Sequence, residues 1–358
     1  MGDSSYEIVV GHGMIDALGE EMIRLRFGPK IMVISSDAVW PLYGKTVDES
    51  LAKCGFEVAT YLLNDDEQAK SLQTVTAIYD RLLENELDRS SAIVVVGGGV
   101  VGDIAGFAAA TYMRGIPYVQ VPTTLLSQID SSIGGKTGVN HPKAKNLVGA
   151  FYQPELVWTD VSTLATLPER ELRSGMAEAI KYSVIADPSF SGLLTKKTES
   201  LSEIPSDALV EIVSRCSFIK VGIIQKDEKE HGIRSILNYG HTVGHALESL
   251  TEYGVYTHGE AVAIGMLAAA RISHNIGATG RGTVEQHESM IHALGLPDAI
   301  PKSILPESVL EQISRDKKRM AGRVRWVLPR RIGEVLVTDD VPADVVLGTV
   351  GGMAAPGM

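Results

Sequence analysis

The chain has 358 residues, with 33 basic and 44 acidic side chains and a formal charge of −11. Its 44% apolar and 22% charged residues exclude a disordered chain, a collagen-like fibre and a small disulfide scaffold. The acidic balance argues against nucleic acid or a membrane surface as partner, while leaving room for a small anionic substrate in a locally basic pocket.

Length predicts about two domains. Cys54 and Cys216 are the only cysteines, with no CxxC pair, so reduced thiols are expected. The start, MGDSSYEIVV, lacks the basic region of a signal peptide. The longest apolar run, residues 261–270, is about half a membrane span. A reduced, cytoplasmic protein is expected.

Short apolar runs at 6–10, 31–35, 58–62, 92–96, 118–121 and 156–159 predict strands. Between the third and fourth, Leu72, Val75, Ile78, Leu82 and Leu83 predict one stripe of an amphipathic helix. Strands alternating with helical patterns imply a mainly parallel α/β sheet. Past residue 160 the pattern turns helical. Thr166-Leu-Pro-Glu169 reads as a helix start capped by Thr166. Helices are predicted over 168–186, 206–227, 240–251, 258–275 and 283–294, and a short β pair over 324–328 and 334–337. The tail GGMAAPGM is expected to fray. The expected division is an α/β domain over 1–165 and a mostly helical domain over 166–358, with the active site in a cleft between them.

Residues 92–96 run into Gly97-Gly-Gly-Val-Val-Gly-Asp103, followed by a helical pattern over 104–112. Glycines in a strand–turn–helix allow backbone N–H groups to approach a pyrophosphate. The string satisfies GxGxxG, which suits a dinucleotide, another phosphate or a structural turn. It follows the fourth predicted strand, and no acidic ribose ligand stands about 20 residues on, so any NAD domain is a variant of the usual one. Residues 122–150 are rich in glycine and hydroxyls without periodicity. They read as a loop, either solvated or a phosphate or carboxylate site, with Lys136, Lys143 and Lys145 supplying positive charge.

His241 and His245 are i, i+4 on one predicted helix, with Glu248 three further on. Such a pair can share a metal, or be a surface pair or a hydrogen-bonded core pair. His258 opens the next helix, and Glu178, among small apolar residues, is a candidate carboxylate for the same cation. His12, His141, His231, His274, His287 and His292 read as surface or ordinary core, the last two, in a polar helix, as solvated.

Seven strings in order, GGGVVGD, PTTLLSQIDSSIGGKTGVNHPKAKN, GAFYQP, SGMAEAIKYS, RSILNYGHTVGHALE, HGEAVAIGM and DKK, resemble the 3-dehydroquinate synthases, members of the sugar-phosphate cyclases. The resemblance spans roughly residues 6–340. It implies an N-terminal Rossmann-like NAD-binding α/β domain, a mostly α-helical metal-binding domain and a homodimer. It makes Glu178, His241 and His258 the ligands of a divalent metal, zinc or alternatively cobalt, and places His245 near the substrate instead. Lys181, Lys220, Glu230, Arg234, Asn238 and His245 fall on catalytic positions. Asp130, Lys136, Asn146 and one of Lys317 and Lys318 fall on substrate positions. Arg114 matches an arginine that reaches the substrate phosphate from the neighbouring subunit. NAD contacts match Asp37, Glu67, Lys70, Gly98, Gly99, Asp103, Thr123, Thr124 and Lys145. Ser183, Ala144 and Asp66 stand where glycine is frequent, and none of these departures removes a charged or metal-binding group.

The implied reaction converts 3-deoxy-arabino-heptulosonate 7-phosphate to 3-dehydroquinate and phosphate, in the shikimate pathway. Transient oxidation by NAD acidifies a neighbouring C–H, phosphate leaves, the carbonyl is reduced again, and an aldol reaction closes the ring. The alternatives are a sister cyclase acting on sedoheptulose 7-phosphate, a metal-dependent polyol or glycerol-phosphate dehydrogenase, and an inactive relative that only binds NAD or a partner.

Overall fold

The computed structural model describes residues 5–195, 201–230, 232–319 and 324–355, without the side chains of Ser202 and of 316–319. The chain forms two units: residues up to Leu167 with Pro205–Ser217, and Pro168–Ile204 with the residues from Phe218 on.

In the first unit the strands are β1 (Glu7–Gly11), β2 (Lys30–Ser36), β3 (Glu57–Leu63), β4 (Ala92–Gly97) and β5 (Tyr118–Pro122). A hairpin of β6 (Lys136–His141) and β7 (Ala144–Phe151) follows, and then β8 (Leu156–Asp160). Six of them form one parallel sheet in the order β1-β8-β5-β4-β2-β3. All six predicted strands belong to it. Helices α1 (Leu18–Arg24), α2 (Trp40–Lys53), α3 (Leu72–Glu84) and α4 (Gly99–Thr111) connect the strands.

Alternation along β2 and β4 shows why the apolar runs are continuous. Ile31, Val33, Ala92, Val94 and Val96 join a core with Leu18 and Met22 of α1 and Val47 and Leu51 of α2. Met32, Ile34, Ile93 and Val95 join a second core with α3 and α4. Strands covered on both faces need apolar residues at every position. On α3, Val75, Ile78 and Leu82 are buried, whereas Leu72 and Leu83 are 53% and 60% exposed. The predicted stripe is therefore too wide by its two outer leucines. An isolated helix presents an apolar arc, but the neighbouring layer covers only its centre.

Residues 122–150 are not a loop. They contain a π-helical turn (Ser127–Ser131) and the antiparallel β6–β7 hairpin. The hairpin pairs Gly138 with Gly149 and Thr137 with Ala150, small residues that carry no apolar alternation.

The second unit holds α5 (Glu169–Ile185), α6 (Ser191–Leu194), α8 (His241–Leu250), α9 (His258–Asn275), α10 (Arg281–Ala293), α11 (Pro306–Arg319) and α12 (Ala343–Gly351), with α7 (Ser206–Ile224) divided between the units at Ser217. The hairpin of β9 (Trp326–Arg331) and β10 (Glu334–Thr338) completes it. α9 is the centre: residues 261–270 are buried on every side, which is why this apolar run is core. Among the described residues no helix is long and apolar enough to cross a membrane. A Cβ on Gly265 would lie 1.9 Å from the Gly240 carbonyl oxygen, so only glycine lets α9 approach the start of α8 this closely.

Two expected helix and tail features are corrected. Pro168, without a side-chain hydrogen bond, is the N-cap of α5, and Thr166 Oγ1 donates instead to Thr163 O at 3.1 Å, within a 3-10 stretch over Val161–Thr166. The tail does not fray through Ala355: Ile300 N donates to Met353 O and Ala355 N to Ile300 O, both at 2.8 Å, and Met353 is buried.

Candidate active site

In the first unit the chain turns outward from β2 to β3 and then returns, placing β4 on the other side of β2. The carboxyl ends of β2 and β4 therefore form the topological switch point, where open α/β sheets place their ligands. Ser36 ends β2 and Asp37 follows it, while Gly97 ends β4 and leads into Gly98 and Gly99. Gly98 is the N-cap of α4, without a side-chain cap, and the first-turn N–H groups of a helix are suited to an anion. A Cβ on Gly98 would stand 3.1 Å from Thr124 Cγ2, and one on Gly99 2.9 Å from Ser131 Oγ. The glycine loop is thus fitted against the turn carrying Thr123, Thr124 and Asp130. Thr123 N donates to Gly97 O at 3.0 Å.

Beside this loop lies a polar cluster. Lys70, almost fully buried, donates from Nζ to Asp103 Oδ2 at 2.6 Å and to Asn146 Oδ1 at 2.5 Å. Glu67 Oε1 stands 3.6 Å from Lys145 Nζ and accepts from Asn140 Nδ2 at 2.8 Å. Asn140 Oδ1 in turn accepts from Asn146 N at 2.8 Å. The structure brings Glu67, Lys70, Asp103, Lys145 and Asn146 together, and adds Asn140, which sequence reasoning missed because an asparagine in a glycine-rich stretch carries no signal. Lys136 is exposed at the start of β6. Arg114 is exposed on a turn where Met113, Arg114 and Gly115 have φ of 50°, 68° and 116°. Left-handed backbone at two side-chain-bearing residues is strain of the kind kept at functional turns.

In the second unit, His241 is the first residue of α8 and His258 the first of α9, while Glu178 lies inside α5. Glu178 is fully buried, which a carboxylate tolerates only among cationic or ligating groups. Its Oε1 is 3.5 Å from His241 Nε2 and 3.4 Å from His258 Nε2, and its Oε2 pairs with the buried Lys181 Nζ. The other ring nitrogens are engaged elsewhere. His241 Nδ1 lies 2.9 Å from Tyr239 O, and His258 Nδ1 lies 3.4 Å from Glu248 Oε1. Ligand atoms of Glu178, His241 and His258 all lie within 4.8 Å of one another. Two imidazoles and a carboxylate with the Nε2 atoms converging fit a divalent cation, and hydrogen-bonded outer nitrogens are the usual support for such ligands.

Burial pushes the His241 pKa down to about 3, with Glu178 opposing and Lys181, His245 and His258 adding to the depression. Burial also opposes charge on His258, but its hydrogen bonds to Glu178 and Glu248 outweigh that and hold it up at about 10. Without a cation, His258 is therefore the counter-ion of two carboxylates, and a bound metal takes the place of its Nε2 proton. His245 stands outside the trio, its ring perpendicular to His241 at 5.1 Å between centroids.

Thr257 and Glu260 close a capping box at the start of α9, and Arg170 of α5 clamps Glu260 through two bonds of 2.8 and 2.7 Å. Glu230, at φ 59°, accepts from Asn238 Nδ2 at 2.8 Å. Asp227 Oδ2 accepts from Gly232 N at 2.7 Å and Arg234 N at 3.0 Å, and the buried Arg234 donates to Glu228 O. Asp227, which sequence reasoning passed over, thus shapes the segment bearing Glu230 and Arg234. Lys220 is buried in α7. Lys317 and Lys318 belong to α11, but their side chains lie outside the described residues, as does His231.

The family profile described as "3-dehydroquinate synthase N-terminal" matches residues 60–174, and that described as "3-dehydroquinate synthase C-terminal" matches 175–319. The chain belongs to the 3-dehydroquinate synthase family. A 3-dehydroquinate synthase from Desulforamulus reducens is 46% identical over 347 residues, 97% of each chain. Among solved structures, 2-epi-5-epi-valiolone synthase from Streptomyces hygroscopicus subsp. jinggangensis 5008, with NAD+ and Zn2+ bound, superposes with a TM-score of 0.90 at 28% identity, covering 99% of this chain and 98% of that one. A 2-deoxy-scyllo-inosose synthase complexed with carbaglucose-6-phosphate, NAD+ and Co2+ gives 0.85 at 28% identity, covering 98% of both.

Against this family background one histidine needs correction. His287, expected to be solvated, is fully buried. Its Nδ1 bonds Thr283 O at 2.6 Å and its Nε2 meets the Tyr239 hydroxyl at 2.8 Å. The polar sequence of α10 hid this, because a single buried face carries few residues.

Proposed function

We propose that the chain is an NAD- and divalent-metal-dependent 3-dehydroquinate synthase that releases phosphate from 3-deoxy-arabino-heptulosonate 7-phosphate. The observation that carries the reading is the buried Glu178 carboxylate, which meets the Nε2 atoms of both His241 and His258 and the ammonium of Lys181. Glu178, His241 and His258 would hold zinc or cobalt. The Gly98–Gly99 turn with Asp37, Glu67, Lys70, Asp103, Thr123, Thr124 and Lys145 would hold NAD. When bound, the metal supplies a Lewis acid for a substrate oxygen and NAD supplies a hydride acceptor that is restored before product leaves.

The chain's own groups do the rest. Lys181 places a buried positive charge beside Glu178, suited to a hydroxyl that must lose its proton. His245 is exposed next to the metal ligands and can accept and return a proton. Glu230, held by Asn238, is the second proton-transfer group. Lys220 and Arg234, both buried, and Asp130, Lys136 and Asn146 orient the substrate's anionic ends and hydroxyls, with one of Lys317 and Lys318 joining them. Fixed in this way, the substrate phosphate can itself take the proton that its elimination requires.

We further infer a homodimer and a cytoplasmic location. Exposed Met113, Leu147 and Phe151 lie on the same unit as Arg114, and Tyr152, next to Phe151, packs against Gly115 through its hydroxyl. In such a dimer the exposed Arg114 would reach the substrate phosphate of the neighbouring subunit.

The test is phosphate release by protein loaded with zinc and NAD, given either the heptulosonate phosphate or sedoheptulose 7-phosphate. Phosphate from the first alone without net NADH is expected. Release from the second alone would move the chain to the sister cyclases, and accumulating NADH would make it a dehydrogenase.

A further inference from the structure

The two histidines that converge on Glu178 are held in different ways. His241 leans on a main-chain oxygen, that of Tyr239, and no substitution can remove it. His258 leans on a side chain, Glu248, whose Oε1 lies 3.4 Å from Nδ1. Glu248 is 8% exposed, so its carboxylate is largely withdrawn from water. It lies one α-helical turn beyond His245 on α8, while His258 opens α9. The close approach of α8 and α9, which Gly265 permits, brings the carboxylate to the ring.

We propose that Glu248 is a positioning residue for the metal centre: it accepts the Nδ1 proton of His258, fixes the tautomer, and leaves the Nε2 lone pair facing Glu178. The inference rests on the reading of Glu178, His241 and His258 as a metal site. A carboxylate behind an imidazole makes the ring a stronger donor and restricts its rotation, and loss of such a partner weakens metal binding about 10–100-fold. His258 needs this support more than His241 does. It is the less buried of the two, and a ring free to turn would present Nδ1 or Nε2 to solvent. The rival role for Glu248 is direct ligation, because ligand atoms of His245, Glu248 and His258 also lie within 4.8 Å of one another. The two roles exclude each other at Nδ1, which either keeps its proton for Glu248 or gives a lone pair to a cation.

The experiment measures zinc affinity and stoichiometry of the full chain by competition with a chromophoric chelator, for the parent, E248Q and E248M. Gln keeps an oxygen that accepts from Nδ1–H, so E248Q stays within about threefold of the parent. E248M keeps the length but no strong acceptor, so its affinity falls about 10–100-fold, with one zinc per chain at saturation in every case. NAD affinity and the melting temperature of the metal-free protein control for general damage, and both should hold. If E248M fails to melt cooperatively, E248D takes its place, since its shorter side chain withdraws the acceptor. Equal affinity in E248Q and the variant without a reaching acceptor overturns the proposal. So does a parent that takes two zinc ions and loses one on substitution. A parent that binds no zinc overturns the metal site itself, a different failure.

Discussion

In the α/β unit, ligand recognition is prepared largely by backbone: glycines at the end of β4, a helix N-terminus and a turn fitted against them. In the helical unit it is prepared by buried side chains, with Glu178 and Lys181 inside α5 and imidazoles at the starts of α8 and α9. The first arrangement follows from the parallel topology, since strand ends and helix starts meet at the switch point whatever the side chains. The second is held by mutual need. A buried carboxylate, an ammonium and two imidazoles stabilise one another, and removing the carboxylate takes away the group that the other three share.

Removing the buried carboxylate is the strongest way to break this comparison. Glu178→Ala should cost stability on the order of 3–5 kcal/mol in urea unfolding, because the buried Lys181 loses its carboxylate. Zinc affinity should fall by more than the roughly 100-fold typical of a lost outer contact, and turnover should vanish. Unchanged zinc affinity would refute the site.

The reciprocal change belongs to the other unit. Gly99→Val puts carbon where Ser131 Oγ stands 2.9 Å from the first added atom. NAD affinity, followed by fluorescence titration, should weaken about tenfold or more, which is at least roughly 1.4 kcal/mol. Zinc affinity should not move, and if both fall together the two sites are not separately prepared.

His287 sharpens the contrast through pH. Burial lowers its pKa to about 4 from the ordinary 6.5. Between these values the unfolded chain binds the extra proton and the folded one does not. Its contribution is thus fully present above pH 6.5 and is lost as pH falls towards 4, on the order of 3 kcal/mol in all. Urea unfolding across that window should show a shallower acid loss for His287→Gln than for the parent.

The smallest effect concerns the cap that starts α9. Thr257→Ala should cost about 1 kcal/mol, and Thr257→Ser should restore most of it. A loss far larger would mean that the cap supports His258 as well as the helix.

Much of this molecule was legible in its residues. The six strands of the parallel sheet appeared as apolar runs, because its central strands are covered on both faces and leave few polar positions. Glu178, His241 and His258 were picked out as groups that could share a cation, and the structure brings them together; the ordered motifs marked the family. The hairpin over β6 and β7 was missed because glycine and small polar residues make a ladder without an apolar period. The 3-10 turn displaced the expected Thr166 cap because cap choice depends on how the preceding turn packs. Met353 and Ala355 were held in place by Ile300, more than 50 positions earlier in the sequence, a pairing that no local pattern encodes.

The sequence by itself determined the alternation of strands and helices, the motifs and the kinds of groups available, since these depend on local periodicity and residue chemistry. Tertiary structure decided which nitrogen of each imidazole faces Glu178, that Glu248 stands behind His258, that Asn140 joins Lys70 and Asn146, and that His287 is buried. Each of those depends on helices and strands far apart in the chain approaching within a few ångströms, and such distances are fixed by packing.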